Sequence, residues 1–170
     1  MDDPLYKYGV INERQLRVSV ENWMDIYCWR EYKIKPSDWF KIKPTIRINQ
    51  NGYKRYTIKL NARDYQFSRV IYKLYNEDWD ITDTSQENFI DHINNNSLDN
   101  RIENLRILTH QQNQWNQKNV RGYSFYKKIG KYRAQLKLNK KTIGGKYRDT
   151  PEEARADYFL LKAKHHVFPE

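Results

Sequence analysis

The stretch FIDHINNNSLDNRIENLRILTHQQN, residues 89–113, decides how this chain is read. Phe89-Ile90 is a short apolar strand end that runs into Asp91-His92, and a loop of asparagines follows. Arg106 to Thr109, RILT, reads as a second short strand. Residues 110–119, HQQNQWNQKN, read as a polar helix with Thr109 as its cap. Strand, loop, strand and helix within about thirty residues predict one compact ββα unit.

The side chains in this unit suit one kind of chemistry. Hydrolysing a phosphodiester needs an activated water, a Lewis acid to stabilise developing charge, and fixed geometry. A histidine that titrates near neutrality is a natural base. A carboxylate beside it, with another oxygen ligand on a neighbouring element, can hold a hard divalent ion. Asp91 and His92 are adjacent, so they point to opposite faces unless the strand ends there. The asparagine loop indicates that it does. Asn113 stands four residues after Thr109, which lets its side chain face back to the strand end.

Asp91-His92, Asn94 to Asn96, Asn100-Arg101, Glu103-Asn104-Leu105-Arg106, Thr109 and Asn113 occur here in the order of a known pattern. The segment resembles the HNH endonuclease family, in particular the phage and intron-encoded homing endonucleases. The resemblance implies that His92 is the general base and that Asp91 and Asn113 bind a divalent metal, Mg²⁺ with Mn²⁺ as the alternative. It implies that Asn104 serves catalysis structurally, its amide tying the loop so that His92 is aimed. Arg101 and Arg106 are candidates for phosphate contact. Many family members hold the fold with cysteine-bound zinc; the single cysteine, Cys28, rules that out and points to the zinc-free branch. His110 reads as exposed helix surface.

Upstream, Ile46 and Ile48 alternate with polar residues, and Asn51-Gly52 is a strong hairpin turn. Tyr56, Ile58 and Leu60 alternate again, Asn61 to Arg63 reads as a turn, and Asp64 to Phe67 as a strand. Ser68 can cap a helix through Tyr75 that puts Val70, Ile71 and Leu74 on one face. The run GYKRYTIKLNARDYQFSRVIY, residues 52–72, resembles the sheet-and-helix segment that precedes the catalytic motif in such enzymes. Residues 1 to about 43 carry a weaker signal; Trp23, Met24, Ile26, Tyr27 and Trp29 could line a helix, and Cys28 among them reads as a buried thiol.

Downstream, ten basic residues and no acidic ones lie between Arg121 and Arg148. Gly122 to Lys127, Lys131 to Leu138 and Lys141 to Tyr147 read as three strands, with turns at Gly130 and Asn139-Lys140. Thr150-Pro151-Glu152-Glu153 is a helix start: a cap, a proline at the first position, then acids facing the positive dipole end. In the middle strand Tyr132, Ala134, Leu136 and Leu138 would face that helix. Lys131, Arg133, Gln135 and Lys137 would face outward, where Arg and Gln can read base edges and the lysines hold phosphates. Arg121-Gly122, Gly130-Lys131, Ala134, Gly144-Gly145, Tyr147 and Thr150 to Ala154 give residues 121–166 a resemblance to AP2-type DNA-binding domains. By that resemblance Arg121, Arg133, Gln135 and Lys137 fall where DNA is contacted; the family's tryptophans on this face are absent, so no target sequence carries over.

The whole composition agrees with a polyanion partner. The chain has 170 residues, 38% hydrophobic residues and a net charge of +10, with a mean hydropathy of −1.05. No apolar run approaches a membrane span, and the N-terminus lacks a signal-peptide pattern, so an intracellular protein, in the cytoplasm of a host cell, is expected. The expected fold is α+β: a ββα-metal HNH nuclease module plus a small three-stranded antiparallel sheet with one helix, AP2-like. Residues 1–119 would form the support region and catalytic module, and 120–170 the DNA-binding domain. The expected partner is double-stranded DNA, bound by a monomer or a homodimer. A homing endonuclease is the leading reading; a restriction endonuclease and a non-cleaving DNA-binding regulator are the alternatives.

Overall fold

A computed structural model describes residues 3–85, 87–115, 120–139 and 141–166. Two compact units emerge: residues 1–85 with 90–107, and residues 86–89 with 108–170. By compactness the helix that starts at His110 groups with the C-terminal residues, whereas the sequence suggested a boundary at 119/120. Among the described residues, no helix is long and apolar enough to cross a membrane.

The first unit begins with four antiparallel strands in sequential order: β1 (Tyr6–Ile11), β2 (Arg14–Ser19), β3 (Ile26–Arg30) and β4 (Asp38–Ile42). The helix expected around Trp23–Trp29 is therefore a strand. Its periodicity is two: Ile26 and Cys28 are buried in the core, while Tyr27 and Trp29 point the other way. β-Branched and aromatic side chains fit that half-buried surface better than a helix. Trp23 precedes the strand and packs its ring against Tyr56 and Phe67. Cys28 is buried as expected, and burial pushes its thiol pKa up.

A second sheet follows, with β5 (Thr45–Ile48), β6 (Lys54–Leu60) and β7 (Arg63–Gln66) in that order. Gly52 takes φ +76° in the turn, where the Asn49 side chain accepts from the Asn51 and Tyr53 amides. The turns Asn12-Glu13 and Asn61-Ala62 both use positive φ, and they hydrogen-bond to each other: Asn61 Nδ2 donates to the Asn12 carbonyl at 2.8 Å. The alternation of Ile46 and Ile48 does not bury them: all four residues of β5, an edge strand, are exposed.

Helix α1 (Phe67–Tyr75) places Phe67, Val70, Ile71 and Leu74 in the core, the i, i+3, i+4, i+7 stripe of an amphipathic helix. Leu16, Val18, Ile26, Ile58 and Leu60 meet them. Ser68 does not cap this helix; Gln66 occupies the N-cap without a side-chain bond, and Ser68 is buried in the first turn. Helix entry two residues earlier is what carries Phe67 into the core. Beyond it, β8 (Phe89–His92) pairs with β9 (Leu105–Leu108) across a loop that ends in a single 3₁₀ turn, Ile102–Asn104.

In the second unit, α2 (His110–Trp115) is followed by β10 (Tyr123–Tyr126), β11 (Lys131–Leu138), β12 (Lys141–Arg148) and α3 (Pro151–His165). Residues 116–119 of the expected helix lie outside the described residues. The three strands are antiparallel in sequential order, with turns at positive φ on Gly130 and Asn139. Ala134 and Leu136 meet Tyr158 of α3 in a small core. Thr150 and Glu153 form the full capping box at the head of α3, with Pro151 next.

Gly122 is where this unit has least room. It adopts φ +76°, and a Cβ there would stand 2.3 Å from the Tyr158 ring. Its carbonyl accepts the Gln135 amide at 2.8 Å. Gly122→Ala is expected to destabilise the three-stranded sheet by roughly 2–4 kcal/mol, through backbone strain and overpacking. Faster amide exchange at Gln135 and along β11 is the expected readout; unchanged exchange would contradict this packing.

Candidate functional site

The site grows from the end of β8. Asp91 is buried, and Arg106 on the neighbouring β9 donates from Nε to its Oδ2 at 3.0 Å. The two side chains are 7% and 21% exposed, so this pair is largely withdrawn from water. The strand stops at His92 because the chain turns: the Asn95 amide donates to the His92 carbonyl at 2.8 Å, with Asn95 at φ +59°. The His92 ring lies 2.9 Å, Nε2 to Oδ1, from Asn100, which is 1% exposed.

Asparagines build the loop by local turn chemistry. Asn94 Oδ1 accepts the Asn96 amide at 2.8 Å, and Asn96 Oδ1 accepts the Leu98 amide at 3.2 Å. Asn104 closes it. Its Oδ1 accepts the Asn94 amide at 3.0 Å, and its Nδ2 donates to Asn94 Oδ1 at 3.1 Å and to the Asp99 carbonyl at 2.7 Å. Its own carbonyl accepts the Ile93 amide at 2.9 Å. One buried amide thus joins both halves of the loop that carries His92.

Arg101 clamps the same loop from outside. It donates from Nε and Nη2 to the two oxygens of Asp99 at 2.9 and 2.8 Å, and lies 3.5 Å from Glu103. These bonds hold the Asp99 pKa down at about 2 and push that of Arg101 up. Arg101 and Arg106, the candidates for phosphate contact, are therefore both engaged with carboxylates. Arg101 keeps about half its surface in solvent, at 55%, and Arg106 does not.

Asp91, His92, Arg101, Asn104 and Arg106 all lie in the first unit. Asn113 lies in the second, on α2. Its amide donates to the Thr109 carbonyl at 3.0 Å, and Thr109 and Gln112 cap that helix reciprocally at 3.2 and 3.0 Å. His110 is not simple helix surface: its ring is half-buried, 5.2 Å from that of Phe89, with Gln114 Nε2 2.7 Å from its Nε2. Asn100 went unassigned in the sequence, although it sits inside the matched pattern. The signal was its place eight residues after His92, across a tight loop.

The basic sheet of the second unit is more internally bonded than its alternation suggests. Arg133 donates from Nε to the Gly145 carbonyl at 2.8 Å and lies over the Tyr147 ring at 5.1 Å. Gly144 makes room for it, since a Cβ there would come within 2.6 Å of the guanidinium. Gln135 Nε2 donates to the Tyr126 hydroxyl at 2.6 Å, and its Oε1 accepts from Ser124 at 2.9 Å. A register shift between Arg133 and Gln135 separates the two positions. Lys131 pairs with Asp149 at 3.0 Å, Arg121 lies over the Tyr123 ring at 4.8 Å, and Lys137 is exposed.

Among the described residues, no group of three or more His, Cys, Asp or Glu side chains is placed to hold a metal ion. The expected donors are of another kind, one carboxylate and one amide oxygen. Both are hard ligands that suit Mg²⁺ or Mn²⁺. In comparison with known proteins, residues 65–115 fit the family model of HNH endonucleases. No curated protein and no solved structure matches the chain. The similarity to HNH endonucleases covers under a third of the chain and contains α1, the β8–β9 ribbon, its loop and α2.

The loop clamp has a defined pH range. The Asp99 pKa falls from 3.8 to about 2 on folding, so its contribution is complete above about pH 4 and fades as pH falls through 2. The Arg101 Nε–H resonance is expected to stay protected from exchange at pH 4 and to lose protection near pH 2. In Asp99→Asn it should exchange fast at every pH. Loss of protection near pH 4 in the parent chain would contradict the clamp.

Proposed function

We propose that this chain is a metal-dependent DNA endonuclease, with the β8–β9 segment cutting the backbone and the C-terminal sheet holding the duplex. The observation that carries the reading is a histidine beside a buried aspartate at a strand end, both in a segment that fits the HNH family model. The net charge of +10 supports a duplex as partner.

In this mechanism His92 takes the proton of the attacking water as general base. Asp91 would supply a carboxylate oxygen to a divalent ion, Mg²⁺ or Mn²⁺. The ion, when bound, supplies Lewis-acid stabilisation of the charge that builds on the phosphate and the leaving oxygen. Arg106 fixes the rotamer of Asp91 through its Nε bond, a role its low exposure favours over phosphate contact. Asn104 keeps the loop closed so that His92 has one position. Arg101, half exposed beside Asp99, is the better placed of the two arginines to touch a phosphate.

The C-terminal sheet acts as an AP2-type reader. Arg133 and Gln135, held by their neighbours, present fixed groups to base edges, while Arg121, Lys131 and Lys137 hold phosphates. A phage or mobile-element homing role fits a site-specific nuclease with its own reading domain.

Two sets of measurements test this. With supercoiled plasmid carrying a selected target and Mg²⁺, the parent chain is expected to cleave. His92→Ala and Asp91→Asn should lose about 10²-fold or more in rate while still binding DNA. Equal cleavage by His92→Ala would refute the assignment. In binding titrations, Lys137→Ala should weaken all sequences alike and reduce the salt slope by about 1, whereas Gln135→Ala should relax sequence preference. A uniform loss from both variants would assign the sheet to phosphate holding alone.

A further inference from the structure

We propose that Asn100 is a positioning residue that fixes which nitrogen of His92 holds the proton. The inference rests on the nuclease reading for its consequence, but not for its geometry. Asn100 is almost wholly buried, and its Oδ1 lies 2.9 Å from His92 Nε2. Its Nδ2 is buried too and has no hydrogen-bond partner. A buried amide with an unsatisfied donor is a poor choice for stability alone, because an apolar side chain of similar volume would fill the space without that penalty. What the asparagine provides, and a leucine would not, is an acceptor aimed at the imidazole.

The backbone on both sides of Asn100 is held. Asn104 Nδ2 binds the Asp99 carbonyl at 2.7 Å, and the Asn104 amide donates to the Arg101 carbonyl at 2.9 Å. The Asp99–Arg101 ion pair straddles the position. The acceptor is therefore presented from a fixed frame rather than from a mobile loop. A neutral imidazole has two tautomers, and which ring nitrogen is protonated follows from the hydrogen bond the ring makes. With the amide oxygen accepting from Nε2–H, the lone pair sits on Nδ1. The base then enters the reaction in one protonation pattern and one ring orientation, with no reorganisation needed at the moment of proton transfer.

The test reads the tautomer directly. Long-range ¹H–¹⁵N spectra of the full chain, with histidine ¹⁵N-labelled and without added metal, are expected to show neutral His92 protonated at Nε2 in a single state. Protonation at Nδ1, or averaging between the two, would overturn the proposal in the parent chain without any variant. In Asn100→Leu the His92 signals should move to a mixture of tautomers. Cleavage kcat should then fall roughly 10–100-fold with little change in KM for DNA. A variant that keeps the Nε2–H pattern while losing activity would also overturn it. A locked tautomer in a chain that cleaves no DNA would sink the nuclease reading and leave the positioning intact.

Discussion

The side-chain amide of Asn104 is the contact on which the candidate site depends. It accepts from one side of the loop, donates to both, and its backbone closes the ribbon at Ile93. Without it, the loop between β8 and β9 would be a run of polar residues with little apolar burial to define one conformation. With it, the end of β8 becomes a rigid corner. Asp91 is turned inward to Arg106, and His92 is turned to Asn100. The Asp99–Arg101 clamp adds an outer tie, so polar bonds rather than core packing specify this geometry.

The support beneath the loop is ordinary hydrophobic burial. α1 fills the inner face of the four-stranded sheet, and Leu105, at the start of β9, joins the same cluster. The ribbon is thus anchored to a core at one strand while its loop is held by amides. That division of labour suits a chain whose hydrophobic content is only 38%. In the second unit a still smaller core, Ala134, Leu136 and Tyr158, is enough because the capping box and the Arg148–Asp157 pair secure α3. Glycines make the close approaches there: Gly122 under Tyr158, and Gly144 under Arg133.

Where the sequence misled, the missing information was tertiary. Trp23 to Trp29 offered large apolar side chains without a clear period, and only sheet pairing on both sides of Ile26–Arg30 made the segment a strand. Ile46 and Ile48 alternate like a buried strand, yet both stay exposed on β5. Ser68 has the chemistry of a cap, but burial of Phe67 moved the helix start past it. Arg101 and Arg106 looked like cations waiting for phosphates, and each had a carboxylate at hand: one two residues away, the other across the strand pair.

By itself the sequence determined the ordered Asp-His, asparagine and Glu-Asn-Leu-Arg pattern, the β10–β12 strands with their turns, and the capped start of α3. These are local matters, set by turn chemistry, period and capping, each decided within a few residues. Tertiary structure alone decided which polar groups meet: that Arg106 reaches Asp91, that Asn100 reaches His92, and that Gln135 is held by Tyr126 and Ser124. Hydrogen-bond partners across a loop or a sheet depend on distances of a few tenths of an ångström, which strand register and loop closure set and residue type does not.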